Sequence, residues 1–227
     1  MPRPIKKRLE KKGQEKGDIR ETVEDIKEVL RKRQRNLIYL FLASIVMVIL
    51  IIGFVVYSKT TASKASELEF EGYKLYYGDN LIIPLSNEER YRKALDMFSK
   101  AYKTRKRPYP LLYMANCHYE LGNYDDAIKL LSDLNNQFSD PNIISLSYYK
   151  MAMAYMKKGD MEKALEALKN IYTIKGSTLN DIALFESGRI LEKMGKKEEA
   201  NQKFKELVDR FPKSQLLDEA KKRLEVK

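Results

Sequence analysis

The sequence of 227 residues is poor in the side chains that build most catalytic sites. It holds one Cys, one His, no Trp, seven Pro and ten Gly. A single Cys allows no intramolecular disulfide, and Cys117 with His118 provides neither a zinc-ligand cluster nor a nucleophile with a choice of bases. The low Pro and Gly content excludes collagen and turn-rich β folds. We therefore expect an all-α protein that is not an enzyme, with no catalytic residues, no cofactor and no metal, in which Cys117 and His118 are packed within a helix.

Charge is absent from residues 37–57, although the whole chain carries a formal net charge of +11. The stretch reads LIYLFLASIVMVILIIGFVVY, and a helix of this length spans about 30 Å, the thickness of the hydrocarbon core of a bilayer. Tyr39 and Tyr57 lie near its ends, where aromatic rings favour the boundary between lipid and water. A buried core helix would rarely stay free of charge for so long. The pattern predicts a transmembrane helix from Leu37 to Tyr57 that contacts membrane lipid.

The flanking charges indicate how this helix is oriented. Residues 1–36 hold 13 Lys or Arg against 7 Asp or Glu. Four cations lie directly before the apolar stretch: Arg31, Lys32, Arg33 and Arg35. Only Lys59 and Lys64 follow it closely, so the N-terminus is expected in the cytoplasm and the residues after the span outside it. A cleaved signal peptide is the alternative, but the leading segment and the apolar run both exceed its usual dimensions, which favours an uncleaved signal anchor.

The N-terminal tail has the pattern of a short amphipathic helix. Asp18 with Glu21 three residues later resembles a capping box. Apolar residues then recur at helical spacing: Ile19, Val23, Ile26 and Leu30. This stripe could form a homodimer seam, lie on anionic lipid or dock a membrane partner, or the helix could be solvated and only set the topology. No nucleic acid partner is expected, because no aromatic residues are interleaved with the first cations of the tail.

Three segments after the span align without gaps. They begin at Leu111 (LLYMANCHYELGNYDDAIKLLSDL), Tyr148 (YYKMAMAYMKKGDMEKALEALKNI) and Leu184 (LFESGRILEKMGKKEEANQKFKEL). Each contains a Gly flanked by two apolar helical faces and a later Ala: Gly122, Gly159 and Gly195, with Ala127, Ala164 and Ala200. Gly suits the left-handed residue that ends a helix, and Ala lets two helices cross closely. Each segment is therefore predicted to be a helical hairpin, and such hairpins stack into a solenoid.

Further positions give these segments a family resemblance. A small residue recurs in each first helix and a large one after each Ala: Ala115, Ala152 and Gly188, then Leu131, Leu168 and Phe204. With the closing Pro212, the segments resemble tetratricopeptide repeats, although they lack the initial Trp and are slightly long. A degenerate first repeat is suggested by Gly72 together with Ala94, Phe98 and Ala101. Its insertion at residues 78–90 is either a functional loop or an irregular start to the solenoid.

The resemblance implies a definite organisation of the chain. We expect a basic cytoplasmic tail with a short amphipathic helix (1–36), a transmembrane signal anchor (37–57), a degenerate first repeat with an insertion (58–107), three tetratricopeptide repeats (108–212) and a C-terminal capping helix (213–227). The fold class is thus all-α, a single N-terminal transmembrane helix followed by an α-solenoid of helical hairpins.

The resemblance also implies that the first helices of the hairpins line a concave groove that binds partners. The residues expected in this groove are Tyr109, Leu112, Asn116, Tyr119, Leu146, Tyr149, Met153, Met156, Ile182, Phe185 and Arg189. Aromatic and thioether side chains suit extended or helical apolar segments of other proteins. Alternatively, the groove is covered by the helix around residues 62–78 or by a second copy. Because Leu112 and Tyr149 stand where some family members carry a Lys for a terminal carboxylate, acidic C-terminal peptides are not expected to bind.

The layout as a whole is similar to that of the ancillary subunits of the bacterial SecYEG translocon. This resemblance implies a membrane-tethered adaptor on the periplasmic side of the bacterial inner membrane. Its partners would be exported polypeptides and translocon subunits, and it would pass the polypeptides to chaperones. The alternative from the residues is a dedicated protein–protein scaffold of an envelope assembly, such as a pilus, secretion or cell-division machine.

Overall fold

The protein is described here by a computed structural model that covers residues 6–79 and 85–225, with the side chains described from residue 23 onward. This part of the chain contains nine α-helices and no strand. The helices are α1 (Lys6–Tyr77), α2 (Asn87–Thr104), α3 (Pro108–Glu120), α4 (Tyr124–Gln137), α5 (Pro141–Lys158), α6 (Met161–Thr173), α7 (Asn180–Lys193), α8 (Lys197–Arg210) and α9 (Leu217–Glu225). The predicted all-α fold is confirmed.

The chain divides into two compact units, residues 1–60 and residues 61–227. In the first unit, every described side chain from Val23 to Tyr57 is exposed. The apolar stretch lies within α1, and by its length and composition this helix could cross a membrane. The structure thus contains one long apolar N-terminal helix where a membrane span is predicted.

The predicted start of a helix at Asp18 is wrong, because α1 already begins at Lys6. The residues before Asp18 are mostly Lys, Arg, Glu and Leu, which are strong helix formers, and no Pro follows Pro4 in this region. Gly13 and Gly17 each cost about 1 kcal/mol relative to Ala, which does not end a helix in such surroundings. Likewise α1 does not end at Tyr57, since neither Pro nor Gly occurs between there and Gly72. The side chain of Asp18 and part of the insertion (residues 80–84) lie outside the described residues.

In the second unit, left-handed glycines end the first helix of each of three hairpins. Gly122, Gly159 and Gly195 have φ angles of 79°, 85° and 75°. The helix pairs that they separate are α3 with α4, α5 with α6, and α7 with α8. Residues with a Cβ rarely adopt this conformation, so these three glycines set where each hairpin turns. The predicted helix stops are confirmed.

Small residues in the first helices let large residues of the second helices pack against the backbone. A Cβ atom placed on Gly188 would lie 2.5 Å from the ring of Phe204, which is fully buried. At the end of α1, a Cβ on Gly72 would lie 2.8 Å from the ring of the fully buried Phe98 of α2. The end of α1 and α2 therefore make the same close contact as α7 and α8.

The last helix covers the open side of the last hairpin. Ala220 of α9 is fully buried in the apolar cluster that contains Phe204 and Leu207. Arg223 of α9 donates to the Glu192 carboxylate of α7 over 2.6 Å. An end repeat without such a helix would expose its apolar face to water.

Candidate functional site

A cavity of about 130 Å³ lies between α3, α4 and α5. Its lining residues are Ala115, Asn116, Tyr119, Ala127, Leu131, Tyr149, Lys150 and Met153. The volume is close to that of an apolar cavity of about 150 Å³ that accommodates benzene. The cavity is thus large enough for one apolar side chain of a partner.

The repeat pattern itself produces the floor of this cavity. Ala115 and Ala127 are the small residues at the crossing of α3 and α4, and both are buried together with Leu131. The Ser147 hydroxyl of α5 donates to the carbonyl oxygen of Leu131 over 3.1 Å, a buried contact that joins α5 to α4. Because small residues stand where larger ones would fill the space, the three helices leave room between them.

Two tyrosines form the polar and aromatic sides of the cavity. The ring of Tyr119 lies 5.5 Å from that of Tyr124 in an edge-to-face arrangement, which limits its movement. Burial raises the pKa of Tyr119 and of Tyr149, so both remain neutral phenols at physiological pH. Each can therefore offer a hydroxyl donor together with an apolar ring face.

Lys150 is the one charged residue that lines the cavity. Burial lowers the pKa of its ammonium group, and the Glu120 carboxylate opposes this effect in part. Among the described side chains, Lys150 has no carboxylate within salt-bridge distance. A partly desolvated ammonium group beside an apolar space suits a partner that brings a carbonyl or carboxylate oxygen next to an apolar side chain.

Four of the eleven predicted groove residues line the cavity: Asn116, Tyr119, Tyr149 and Met153. Five others lie elsewhere with at least part of their surface accessible: Tyr109, Leu146, Met156, Ile182 and Arg189. Tyr109 is 50% exposed, whereas Leu146 and Met156 pack against the core. Arg189 pairs with Glu186 over 3.0 Å.

The structure corrects the prediction for the remaining two groove residues. Leu112 and Phe185 are each only 3% exposed and therefore offer no surface to a partner. Leu112 belongs to the core cluster around Leu131, and the Phe185 ring lies 5.7 Å from the ring of Phe204. Both side chains fill the interior between the two helices of their own hairpins.

Four lining residues were not expected in the site from the sequence: Lys150 and the floor residues Ala115, Ala127 and Leu131. The only sequence signal for Lys150 is that it is the one charged residue within the stretch YYKMAMAYM of α5. Ala127 and Leu131 come from the second helix of the hairpin and Ala115 is the small residue of the first, and the repeat pattern alone assigns all three to the core.

The end of α1 does not contribute to the cavity, because all lining residues belong to α3, α4 and α5. It packs instead through an aromatic cluster: the Tyr73 ring lies 5.2 Å from Phe98 and 4.6 Å from Tyr113. The hydroxyl groups of Tyr77 and Tyr113 are 2.9 Å apart and share a hydrogen bond. Burial raises the pKa of Tyr73 to about 12. The cavity is therefore not covered by the segment around residues 62–78.

Cys117 and His118 lie within α3 as packed residues. Cys117 is fully buried, and burial raises the pKa of its thiol to about 12. The side chain of His118 is 20% exposed, with its Nδ1 atom 3.7 Å from the Asp126 carboxylate. The described residues contain no group of three or more His, Cys, Asp or Glu that could hold a metal ion.

The tetratricopeptide repeat family matches the chain in three stretches, residues 87–154, 146–178 and 182–214. Together these stretches include helices α2 to α6 and α8 in full, and α7 from residue 182 onward. They also include all residues that line the cavity.

Two curated relatives each match less than half of this chain. Tetratricopeptide repeat protein 1 of Schizosaccharomyces pombe is 34% identical over 96 residues, which is 40% of this chain and 9% of that protein. Heat shock protein STI1 of Saccharomyces cerevisiae is 30% identical over 107 residues, which is 45% of this chain and 16% of that protein. The chain thus matches only a small part of the length of these relatives.

A solved structure shows the same fold. The crystal structure of MamA protein has a TM-score of 0.53 and 17% sequence identity, and the match covers 72% of this chain and 80% of that chain. With the glycine stops, the small and large residue pairs and the three matched stretches, this likeness leads to one assignment. The chain belongs to the tetratricopeptide repeat family, whose repeats match residues 87–178 and 182–214.

Proposed function

We propose that the protein is a membrane-tethered adaptor whose cavity between α3, α4 and α5 anchors an apolar side chain of another protein. The observation that carries this proposal is a cavity of about 130 Å³ with an apolar floor and one partly buried ammonium group, that of Lys150. In this arrangement the side chain of the partner occupies the cavity. Lys150 and Asn116 then donate hydrogen bonds to an oxygen of the partner, either a backbone carbonyl or the carboxylate of a residue next to the bound side chain.

The size of the cavity favours an exchangeable partner over a permanent one. Burying one Leu-sized side chain stabilises a complex by about 1.5–3 kcal/mol, which is a factor of about 10 to 150 in affinity. A single anchor of this kind holds a segment only briefly. It suits an adaptor that receives many unrelated polypeptides and passes them on.

The apolar stretch of α1 is the proposed membrane anchor. It spans the bacterial inner membrane from Leu37 to Tyr57, with the N-terminus in the cytoplasm and the solenoid in the periplasm. The excess of cations directly before the stretch supports this orientation. In this location the partners are translocon subunits and exported polypeptides, and the activity is hand-over of these polypeptides to chaperones. Similarity over 107 residues to heat shock protein STI1 of Saccharomyces cerevisiae supports this proposal.

Photo-crosslinking tests the cavity as a binding site. A photoreactive residue at Met153, which lines the cavity, is expected to give adducts with translocon subunits and many exported chains in native membranes. The matched control is the same probe at Lys169, an exposed position on α6 outside the cavity. Mass spectrometry of the adducts is the measurement. In the Lys150→Met variant the adduct yield at Met153 should fall about tenfold, because a charged hydrogen bond to the partner is lost.

Other outcomes of this experiment separate the alternatives. One dominant envelope protein among the adducts at Met153 would identify a dedicated scaffold of an assembly instead of an export adaptor. Equal adduct yields at Met153 and Lys169 would contradict the cavity as the site of binding.

Protease protection tests the orientation. Protease added to intact spheroplasts is expected to digest the solenoid and to spare the N-terminal tail, detected with a tag before residue 1. The reason is that Arg31, Lys32, Arg33 and Arg35 retain their end of the span in the cytoplasm. Digestion of the tail with protection of the solenoid would reverse the proposed topology.

A further inference from the structure

The connection between α2 and α3 is the most densely basic segment of the second unit. Residues 103–107, here called the basic turn, read KTRKR and contain four cations and no acidic residue. The side chains of Lys103, Arg105 and Lys106 are exposed. The proposed adaptor function makes no use of this charge.

Arg107 fixes the basic turn beside α1. Its guanidinium group lies 2.7 Å from a carboxylate oxygen of Glu69, which is only 8% exposed. It also donates to the Ser66 hydroxyl over 3.2 Å. The exposed cations of the turn are therefore held next to residues 66–69, within the second unit.

This position is close in the chain to the end of the apolar stretch. Nine residues lead from Tyr57 to Ser66. As a helix they are about 14 Å long, and in no conformation do they span more than about 32 Å. At physiological salt a charge acts over a Debye length of about 8 Å. The length of a Lys side chain adds to this distance. With the apolar stretch in the bilayer as proposed, a tether of nine residues limits how far the basic turn can lie from the bilayer surface.

We propose that the basic turn binds the headgroups of anionic phospholipids. The inference rests on the proposed membrane anchoring of α1 and adds a second, electrostatic contact with the same bilayer. Lys103 and Lys106 are point charges on long flexible stems, which suit a diffuse layer of phosphate groups.

The surroundings of the turn favour lipid over nucleic acid. Single-stranded nucleic acids are usually bound with the help of aromatic rings on which bases stack. The aromatic residue next to the turn, Tyr102, is half-buried and donates its hydroxyl to Gln137 over 2.6 Å. Tyr109, two residues after the turn, is 50% exposed, and a single aromatic ring beside cations is typical of the boundary between lipid and water.

Fluorescence quenching in vesicles tests this contact with the full chain. A fluorophore is attached at Thr104→Cys, a position whose hydroxyl bonds only to the Lys100 carbonyl of the same helix. The native Cys117 is fully buried and does not compete for the label. Vesicles consist of phosphatidylcholine with or without phosphatidylglycerol, and both contain a lipid with a nitroxide on its headgroup as the quencher.

Quenching is expected to be at least about twofold stronger in the anionic vesicles and to be reversed by about 0.5 M salt. The variant Lys103→Gln with Lys106→Gln should lose this difference. The matched control, Lys196→Gln with Lys197→Gln, removes the same charge from exposed positions at the turn between α7 and α8 and should retain it.

Three outcomes would overturn the inference, and they are distinguishable. If the chain fails to float with neutral vesicles, the proposed anchor itself is wrong and the inference falls with it. If the chain floats but the label is quenched equally in neutral and anionic vesicles, the anchor stands and the lipid contact does not. If anionic lipid has no effect while a labelled RNA oligonucleotide binds the wild type and not the Lys103 and Lys106 variant, the turn is a nucleic acid site.

Discussion

Replacing Phe204 by Ala is expected to lower the free energy of unfolding of the repeat region by about 3–5 kcal/mol. The side chain is fully buried in α8, where its ring lies against Gly188 and 5.7 Å from the ring of Phe185. Removing it leaves a cavity that the two rigid helices of the hairpin cannot close. Urea unfolding of the full chain in detergent, followed by circular dichroism, measures the loss.

The partner residue gives a second variant that tests the same contact from the other side. Ala normally stabilises a helix by about 1 kcal/mol relative to Gly. In Gly188→Ala, however, the new Cβ would lie 2.5 Å from the Phe204 ring, so we expect a loss of about 1–3 kcal/mol. Gly53→Ala, where no atom lies within 4 Å, is the matched control and should cause no loss.

A double variant shows whether the two residues are coupled. Leu at position 204 lacks the ring atoms that approach Gly188, so Gly188→Ala should cost less in the Phe204→Leu background than in the wild type. If the two losses are simply additive, the proposed contact between α7 and α8 is wrong.

The hairpins were predictable from the sequence because their determinants are local. Gly159 directly follows the last residue of α5, and its left-handed conformation needs no contact with a distant part of the chain. A small and a large residue recur at one fixed spacing in the three hairpins, so a single pattern predicts all three pairs: Ala115 with Leu131, Ala152 with Leu168 and Gly188 with Phe204. The same local reasoning failed for Asp18, because a capping pattern starts a helix only where the preceding residues do not already form one.

The candidate site was only partly predictable, because it depends on three helices at once. The pattern of the first helix places Leu112 and Asn116 on one face, yet only Asn116 reaches the cavity. Leu112 is covered by side chains of the same core cluster, and that coverage depends on packing between helices. The ion pair of Glu69 and Arg107 was missed for a similar reason, since no repeat pattern relates residues so far apart in the chain.

Replacing Arg107 by Leu is expected to destabilise the second unit by about 3 kcal/mol near neutral pH. The variant leaves the Glu69 carboxylate, which is only 8% exposed, without its cation. In the wild type, burial already raises the pKa of Glu69 above its ordinary value of 4.5, although Arg107 opposes this effect. Without Arg107 the pKa should rise further. The nearby Tyr73 stays neutral, because burial raises its pKa to about 12.

The pH dependence of this loss follows from the direction of the pKa shift. A carboxyl group whose pKa is raised in the folded state binds a proton more tightly there than in the unfolded chain. The free energy of unfolding therefore falls as the pH rises from the ordinary carboxyl pKa through the higher pKa that Glu69 has in the folded state. The loss caused by Arg107→Leu should be smaller at pH 5 than at pH 8, as measured by urea unfolding at both values.

In the double variant Glu69→Gln with Arg107→Leu no buried charge remains, so most of the stability should return and the difference between the two pH values should disappear. An equal loss at both pH values in the single variant would contradict the buried ion pair as the contact that joins the end of α1 to the basic turn.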